Sequence, residues 1–157
     1  MPKMIRLPNR YSKLFGIKQI SNANNASAAQ NGPILEGRTP LVAGGKRFVP
    51  ASTSRFRRSE PAYFYTEIYD PLLTGAAPPS LMLGYRIVER NTGGVKADTG
   101  MAGIAGFVQP GNPIVPFGTT IHFGELSPGA YRLEVRAAHS SGPEVVARTV
   151  DFDLDAQ

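Results

Sequence analysis

The sequence predicts an all-β fold, and three observations predict it. Short runs with period-two alternation recur along the chain, most clearly in "AYFYTEIYD" from Ala62 and "LMLGYRIVER" from Leu81. Gly and Pro, 17 and 14 of the 157 residues, fall mostly between those runs, where turns need them. No segment holds a 3.6-residue apolar period over three turns, so no amphipathic helix competes.

Taken in order, the first segment with strand character is "KLFGIKQIS", in which Leu14, Ile17 and Ile20 are apolar and Gly16 interrupts. "NANNASAAQNGP", residues 22–33, is small, polar and low in complexity, so residues 1–33 read as a basic arm and flexible linker. Residues 34–157 read as the sandwich domain. "LVAGGKRFVP" gives two short strands about a Gly44–Gly45 turn, and "ASTSRFRRSEP" reads as a polar, basic connection. "AYFYTEIYD" is the best strand by its aromatic and β-branched content, and Pro71 ends it. The strand from Leu81 closes at "NTGG", and a weaker one follows around Val95. "MAGIAGFVQPGNPIVPFG" is broken by Gly and Pro and yields no assignment. "TTIHFGEL", "AYRLEVRAA" and "EVVARTVDFDLD" supply the last strands, the final two as a hairpin across Ser140–Pro143.

The stretch "LSPGAYRLEV" sharpens the class. Leu126 precedes a Pro128–Gly129 turn, and Tyr131, Leu133 and Val135 then alternate. A tyrosine entering a late strand, its hydroxyl bonded back to upstream backbone, is a corner device of immunoglobulin-like sandwiches. Leu126, Pro128, Gly129 and Tyr131 are therefore read as a structural corner, with Gly129 supplying a backbone angle that other residues resist. The expected architecture is an immunoglobulin-like or fibronectin-III-like antiparallel β-sandwich with an extended N-terminal arm.

Charge is unevenly placed. Residues 1–58 carry eleven Lys or Arg against one acid, Glu36, and residues 59–157 carry six against eleven. A basic arm on an acidic body can steer toward an anionic partner, but these charges are spread out, which argues against nucleic acid. No apolar run approaches the roughly 20 residues of a membrane-spanning helix. The absence of cysteine excludes disulfides, thiolate metal sites and cysteine nucleophiles. "MPKMIRLPNRYSKLFG" lacks the apolar segment of a secretory signal, which leaves a cytoplasmic protein or a part of a longer precursor.

Candidate chemistry is sparse. His122 and His139 have no Cys, His or carboxylate at ligand spacing, so neither points to a metal. Asp151, Asp153 and Asp155 share one strand face and diverge from any single cation; they read as an acidic face protecting an edge strand. No nucleophile elbow and no phosphate-binding loop is present, and no cofactor is called for. The credible binding surface is the row Tyr63, Tyr65 and Tyr69. If Phe64, Thr66 and Ile68 face the core, these rings face outward and could anchor a protein or stack on a glycan.

The chain also resembles the C-terminal β-sandwich region of acidobacterial proteins related to the von Willebrand factor A domain. The carrying segments, within residues 14–155, are "LFGIKQISNA", "GGKRFVP", "AYFYTEIYD" and "LSPGAYRLEV…RTVDFDL". The resemblance implies an accessory module of a larger exported or cell-envelope protein. The adhesion motif D-x-S-x-S has no match, so metal-dependent adhesion does not carry over. The expected function is a non-catalytic interaction or spacer module presenting a sheet face or edge to a protein. The alternatives are a carbohydrate-binding module using the tyrosine row, and an enzyme or inhibitor built on the same scaffold.

Overall fold

The computed structural model describes residues 13–16, 41–48 and 53–156, and within them the all-β expectation holds. The strands are β1 (Lys13–Gly16), β2 (Leu41–Ala43), β3 (Lys46–Phe48), β4 (Arg55–Arg57), β5 (Ala62–Tyr69) and β6 (Leu81–Glu89). They continue as β7 (Val95–Asp98), β8 (Ala102–Gly103), β9 (Ile114–Ile121), β10 (Gly129–His139) and β11 (Val145–Asp155). The only helical pieces among the described residues are 3-10 turns at Pro71–Thr74 and Ala105–Phe107.

Two sheets share one core. The smaller has the order β1-β5-β9, and the larger the order β4-β11-β10-β6-β7, with β8 also on β6. All these pairings are antiparallel except β4 with β11, which is parallel. Alternation places Phe64 and Ile68 of β5 and Val115 and Ile121 of β9 in the core from one side. From the other come Leu83 and Ile87 of β6, Leu133 and Val135 of β10, and Phe152 and Leu154 of β11. Burial of this contiguous apolar set is what holds the sheets together.

One end of the core is aromatic. Phe152 stacks on Phe123 with centroids 5.3 Å apart and on Tyr131 at 5.7 Å, and Phe56 meets Phe123 and Phe152 at 6.0 and 6.2 Å. Leu126 is buried there too. Tyr131 is buried, and its hydroxyl donates to the Ser127 carbonyl at 2.6 Å, four residues upstream. Gly129 opens β10 at φ +159°, on the border of extended backbone, and a Cβ there would meet only the Tyr131 ring at 3.8 Å. The demand for glycine at this corner is therefore milder than a left-handed turn would make.

Two other glycine sites are strict. Gly44 and Gly45 turn the β2–β3 hairpin with φ +56° and +74°, the positive pair a two-residue hairpin loop needs. Gly84 lies beneath the backbone of Gly100, whose carbonyl oxygen would stand 2.0 Å from any Cβ. The segment between β7 and β8 can cross β6 only because that side chain is missing.

Two expectations change. "SRFRR", read as a connection, contains β4, because Phe56 reaches the aromatic end of the core while Arg55 and Arg57 stay exposed. The unassigned Gly/Pro stretch contains β8, a 3-10 turn and the start of β9, which runs through Pro116 to Ile121 and leaves His122 outside. The arm expected at residues 1–33 contributes β1 to the smaller sheet through pairs such as Leu14 with Phe64. The rest of that arm, with the boundary at residue 33, lies outside the described residues.

Replacing Tyr131 by Phe should lower unfolding stability by about 1 kcal/mol, because it removes the hydrogen bond from the buried ring's hydroxyl to the Ser127 carbonyl while keeping the ring. Chemical denaturation measures the difference, and an unchanged midpoint would show the bond to be idle.

Candidate interaction surfaces

The outer face of the smaller sheet is built from β5 and β9. Register sets Tyr63 opposite Thr120, Tyr65 opposite Gly118, Glu67 opposite Pro116 and Tyr69 opposite Ile114. Phe64, Thr66 and Ile68 are buried, so the tyrosines do lie on the far side of the sheet. They are not, however, an exposed row. Tyr65 is 2% exposed: it packs with Ala43 of the β2–β3 hairpin, next to Phe107 and Tyr63. Its hydroxyl donates to Glu67 at 2.9 Å. The missing side chain of Gly118 leaves space that a ring can cover, and the hairpin closes over it. Tyr63 is half-buried, and Tyr69 is exposed, at 41%.

This burial corrects the three-ring platform. Tyr63 and Tyr69 are separated by about 20 Å of strand at ~3.3 Å per residue, with the covered Tyr65 between them. Among the described residues of β5 and β9, the exposed apolar pair is Tyr69 and the 44% exposed Ile114, directly across the strands from each other.

Behind Tyr69 the structure assembles a contact that sequence spacing hid. Asp70 is fully buried, and its Oδ1 accepts the Leu72 amide at 3.0 Å, capping the 3-10 turn. Its Oδ2 lies 2.7 Å from His139 Nε2 at the end of β10. The backbone joins the same junction through Asp70 N to the Pro113 carbonyl and Ser140 N to the Ser80 carbonyl. Asp70 and His139 are 69 residues apart, so no local motif announced them. With both carboxylate oxygens engaged, the pair is a structural tie that joins the ends of β5, β9, β10 and the start of β6.

The outer face of the larger sheet is charged and internally paired. Arg132 holds Asp151 at 2.7 Å, Arg90 reaches Asp151 and Asp153 at 3.3 and 3.4 Å, and Arg55 reaches Asp155 at 3.2 Å. Arg86 pairs with Glu134 and Arg136 with Asp98 at 2.9 Å, while Lys96 reaches Glu89, which ends β6 in register with Tyr131, at 3.2 Å. The hydrogen bond from Arg132 holds the Asp151 carboxyl below the usual carboxylate range. Thr92, and then Lys96, do the same for Glu89, while burial pushes the Tyr85 phenol up. The acidic strand read as edge protection is in fact covered at 153–155 by β4, and its acids are neutralised by arginines of adjoining segments. Among the described residues no group of three His, Cys, Asp or Glu side chains is placed to hold a metal, and no helix is long and apolar enough to cross a membrane.

No family model matches the chain, and no curated protein does. Seven chains among the solved structures match, and two serve as examples. One is the Pseudomonas fluorescens alkylpurine DNA glycosylase AlkC bound to DNA containing an abasic site analog. It has a TM-score of 0.44 and 15% identity over 67% of this chain and 28% of that one. The other is a family 123 glycoside hydrolase from Clostridium perfringens, with a TM-score of 0.46 and 7% identity over 98% of this chain and 28% of that one. The chain thus spans little more than a quarter of either protein.

Two outcomes are expected. His139→Ala should destabilise by about 2 kcal/mol or more, since it strips a partner from a fully buried carboxylate; His139→Gln should recover part of this in thermal melts. The lowered Asp151 pKa adds stability above the usual carboxylate range, lost as pH falls through the folded-state value. Because the Asp151 side chain is 42% exposed, solvent screens the pair. Asp151→Asn should therefore cost no more than about 1 kcal/mol at neutral pH, with the gap to wild type closing in acid.

Proposed function

We propose that the chain is an immunoglobulin-like β-sandwich of non-catalytic function, an interaction or spacer module of a larger exported protein, and that it presents the Tyr69–Ile114 face to a protein partner. Two features support the scaffold reading. With β5, β9, β6, β10 and β11 taken as the second, fifth, third, sixth and seventh strands of such a sandwich, the strand order fits, and β7 extends the larger sheet as in variable-type domains. The Tyr131 hydroxyl bonds backbone at the corner entering the sixth strand, as the tyrosine corner of that fold does.

The observation that carries the partner reading is the exposed Tyr69–Ile114 pair. An aromatic ring beside an aliphatic side chain, on a sheet face anchored by the buried Asp70–His139 tie, is the kind of rigid apolar anchor that interface centres use. The larger sheet's outer face, by contrast, carries charges that already satisfy one another, and a partner there would have to displace ion pairs. The resemblance drawn from the sequence supports the placement in a larger exported protein.

A photo-crosslinking residue at position 69, in the native cell, should give a discrete protein adduct, and one at Arg132 should not. Equal adduct yields from the two positions would sink the reading. So would adduct formation at 69 that persists when Ile114→Ser is added.

A further inference from the structure

We propose that the chain pairs with a second copy of itself through the outer face of the smaller sheet, at its Tyr69–Ile114 end. This rests on the reading of that face as a partner surface, and it names the partner. Tyr69 and Ile114 are 41% and 44% exposed and stand directly opposite each other in the β5–β9 register. Pro116, the next outward position along β9, is half-buried, as is Pro113 just before Ile114.

Charge selects a second copy over a different protein. Between Asp70 and Arg86, and again between Asp98 and Glu125, the sequence has no Asp, Glu, Lys or Arg. Those stretches hold the 3-10 turn after β5, the 3-10 turn at Ala105–Phe107 and the whole of β9, so this end is built largely from uncharged chain. The charged group nearest in register among the described residues is Glu67, opposite Pro116, and its Oε1 already accepts the Tyr65 hydroxyl at 2.9 Å. Asp70 and His139, behind the pair, are tied to each other. Complementary charge is what steers and selects a foreign partner, and this face offers almost none. In a two-fold contact the same patch meets itself, so a charge near the axis would oppose its own copy. The whole chain carries a net charge of +5, and two copies therefore approach with least repulsion through an uncharged end.

The face is also ordered before contact. The Asp70 amide donates to the Pro113 carbonyl at 2.8 Å and joins the ends of β5 and β9. The Leu73 and Gly75 amides close the turn after β5, and the Asn112 amide closes the turn before β9 on the Gln109 carbonyl. Little conformational freedom is left to lose on association. Side chains make the contact, not strand pairing: the Ile114 amide is taken by Asn112 Oδ1 at 3.0 Å, and Pro116 has no amide to offer. Such a contact closes as a dimer and belongs to the small, weak class of interfaces.

Sedimentation equilibrium on the full chain tests the pairing. Wild type should dimerise reversibly at high micromolar to millimolar concentration, and added salt should not weaken the dimer, because no ion pair holds it. Ile114→Lys and Ile114→Glu should each weaken it by roughly tenfold or more by burying an unpaired charge, with melting temperatures unchanged. An equimolar mixture of the two should restore a mixed dimer. Val95→Lys, at an exposed site on the larger sheet, should leave the dimer intact. A monomeric wild type at millimolar concentration overturns the proposal, as does a dimer that salt dissolves or that both Ile114 variants leave intact. The photo-adduct at position 69 separates this from the wider reading. An adduct of two copies supports both, an adduct with a different protein overturns the second copy alone, and a monomer without any adduct overturns both.

Discussion

The bond from the Tyr131 hydroxyl to the Ser127 carbonyl sets where the chain enters β10, and β10 is the strand on which the larger sheet is assembled. β6 pairs along one side of it and β11 along the other, both through long regular registers. A one-residue slip at the corner would turn Leu133 and Val135 out of the core and bring Arg132 and Glu134 in. The corner resists that slip because Tyr131 is held twice. Its ring stacks on Phe152 and its hydroxyl is bonded to backbone.

The same registry distributes the charges. With odd-numbered β10 residues committed to the core, Arg132, Glu134 and Arg136 must face outward, where register sets Arg132 opposite Asp151 and Glu134 opposite Arg86. Ion pairing on that face is thus a consequence of the core pattern, and each exposed pair adds little stability by itself. Its larger effect is to leave that face with few unpaired charges. On the smaller sheet, Tyr69 and Ile114 stand exposed, directly across the strands from each other.

Much of this was legible in sequence because it depends on local alternation. β5, β6, β10 and β11 announce themselves by period two, and the Gly44–Gly45 hairpin by its turn chemistry. β4 was not legible, since one buried Phe56 between arginines carries no periodic signal in three residues. The tyrosine row shows the same limit from the other side. Alternation correctly sent Tyr65 to the outer face, but a hairpin more than fifteen residues upstream decides whether that face sees water. The Asp70–His139 tie depends on where two strand ends meet, so only the folded topology reveals it.

β11 makes the tension between folding and protection concrete. Its C-terminal half, with three aspartates, would be safe as an open edge, yet that half is the one β4 covers. The covering has a physical reason: Phe56 must reach the aromatic cluster formed by Phe123 and Phe152, and that cluster lies at the Asp153–Asp155 end of the strand. Core filling therefore fixes which stretch of edge is closed, whatever the charge written along it. In the stretch before it, the inward residues Val146 and Val150 stay apolar because they pack against the core. Both halves obey the core first, and the pattern of charged and β-branched residues along the strand follows from that.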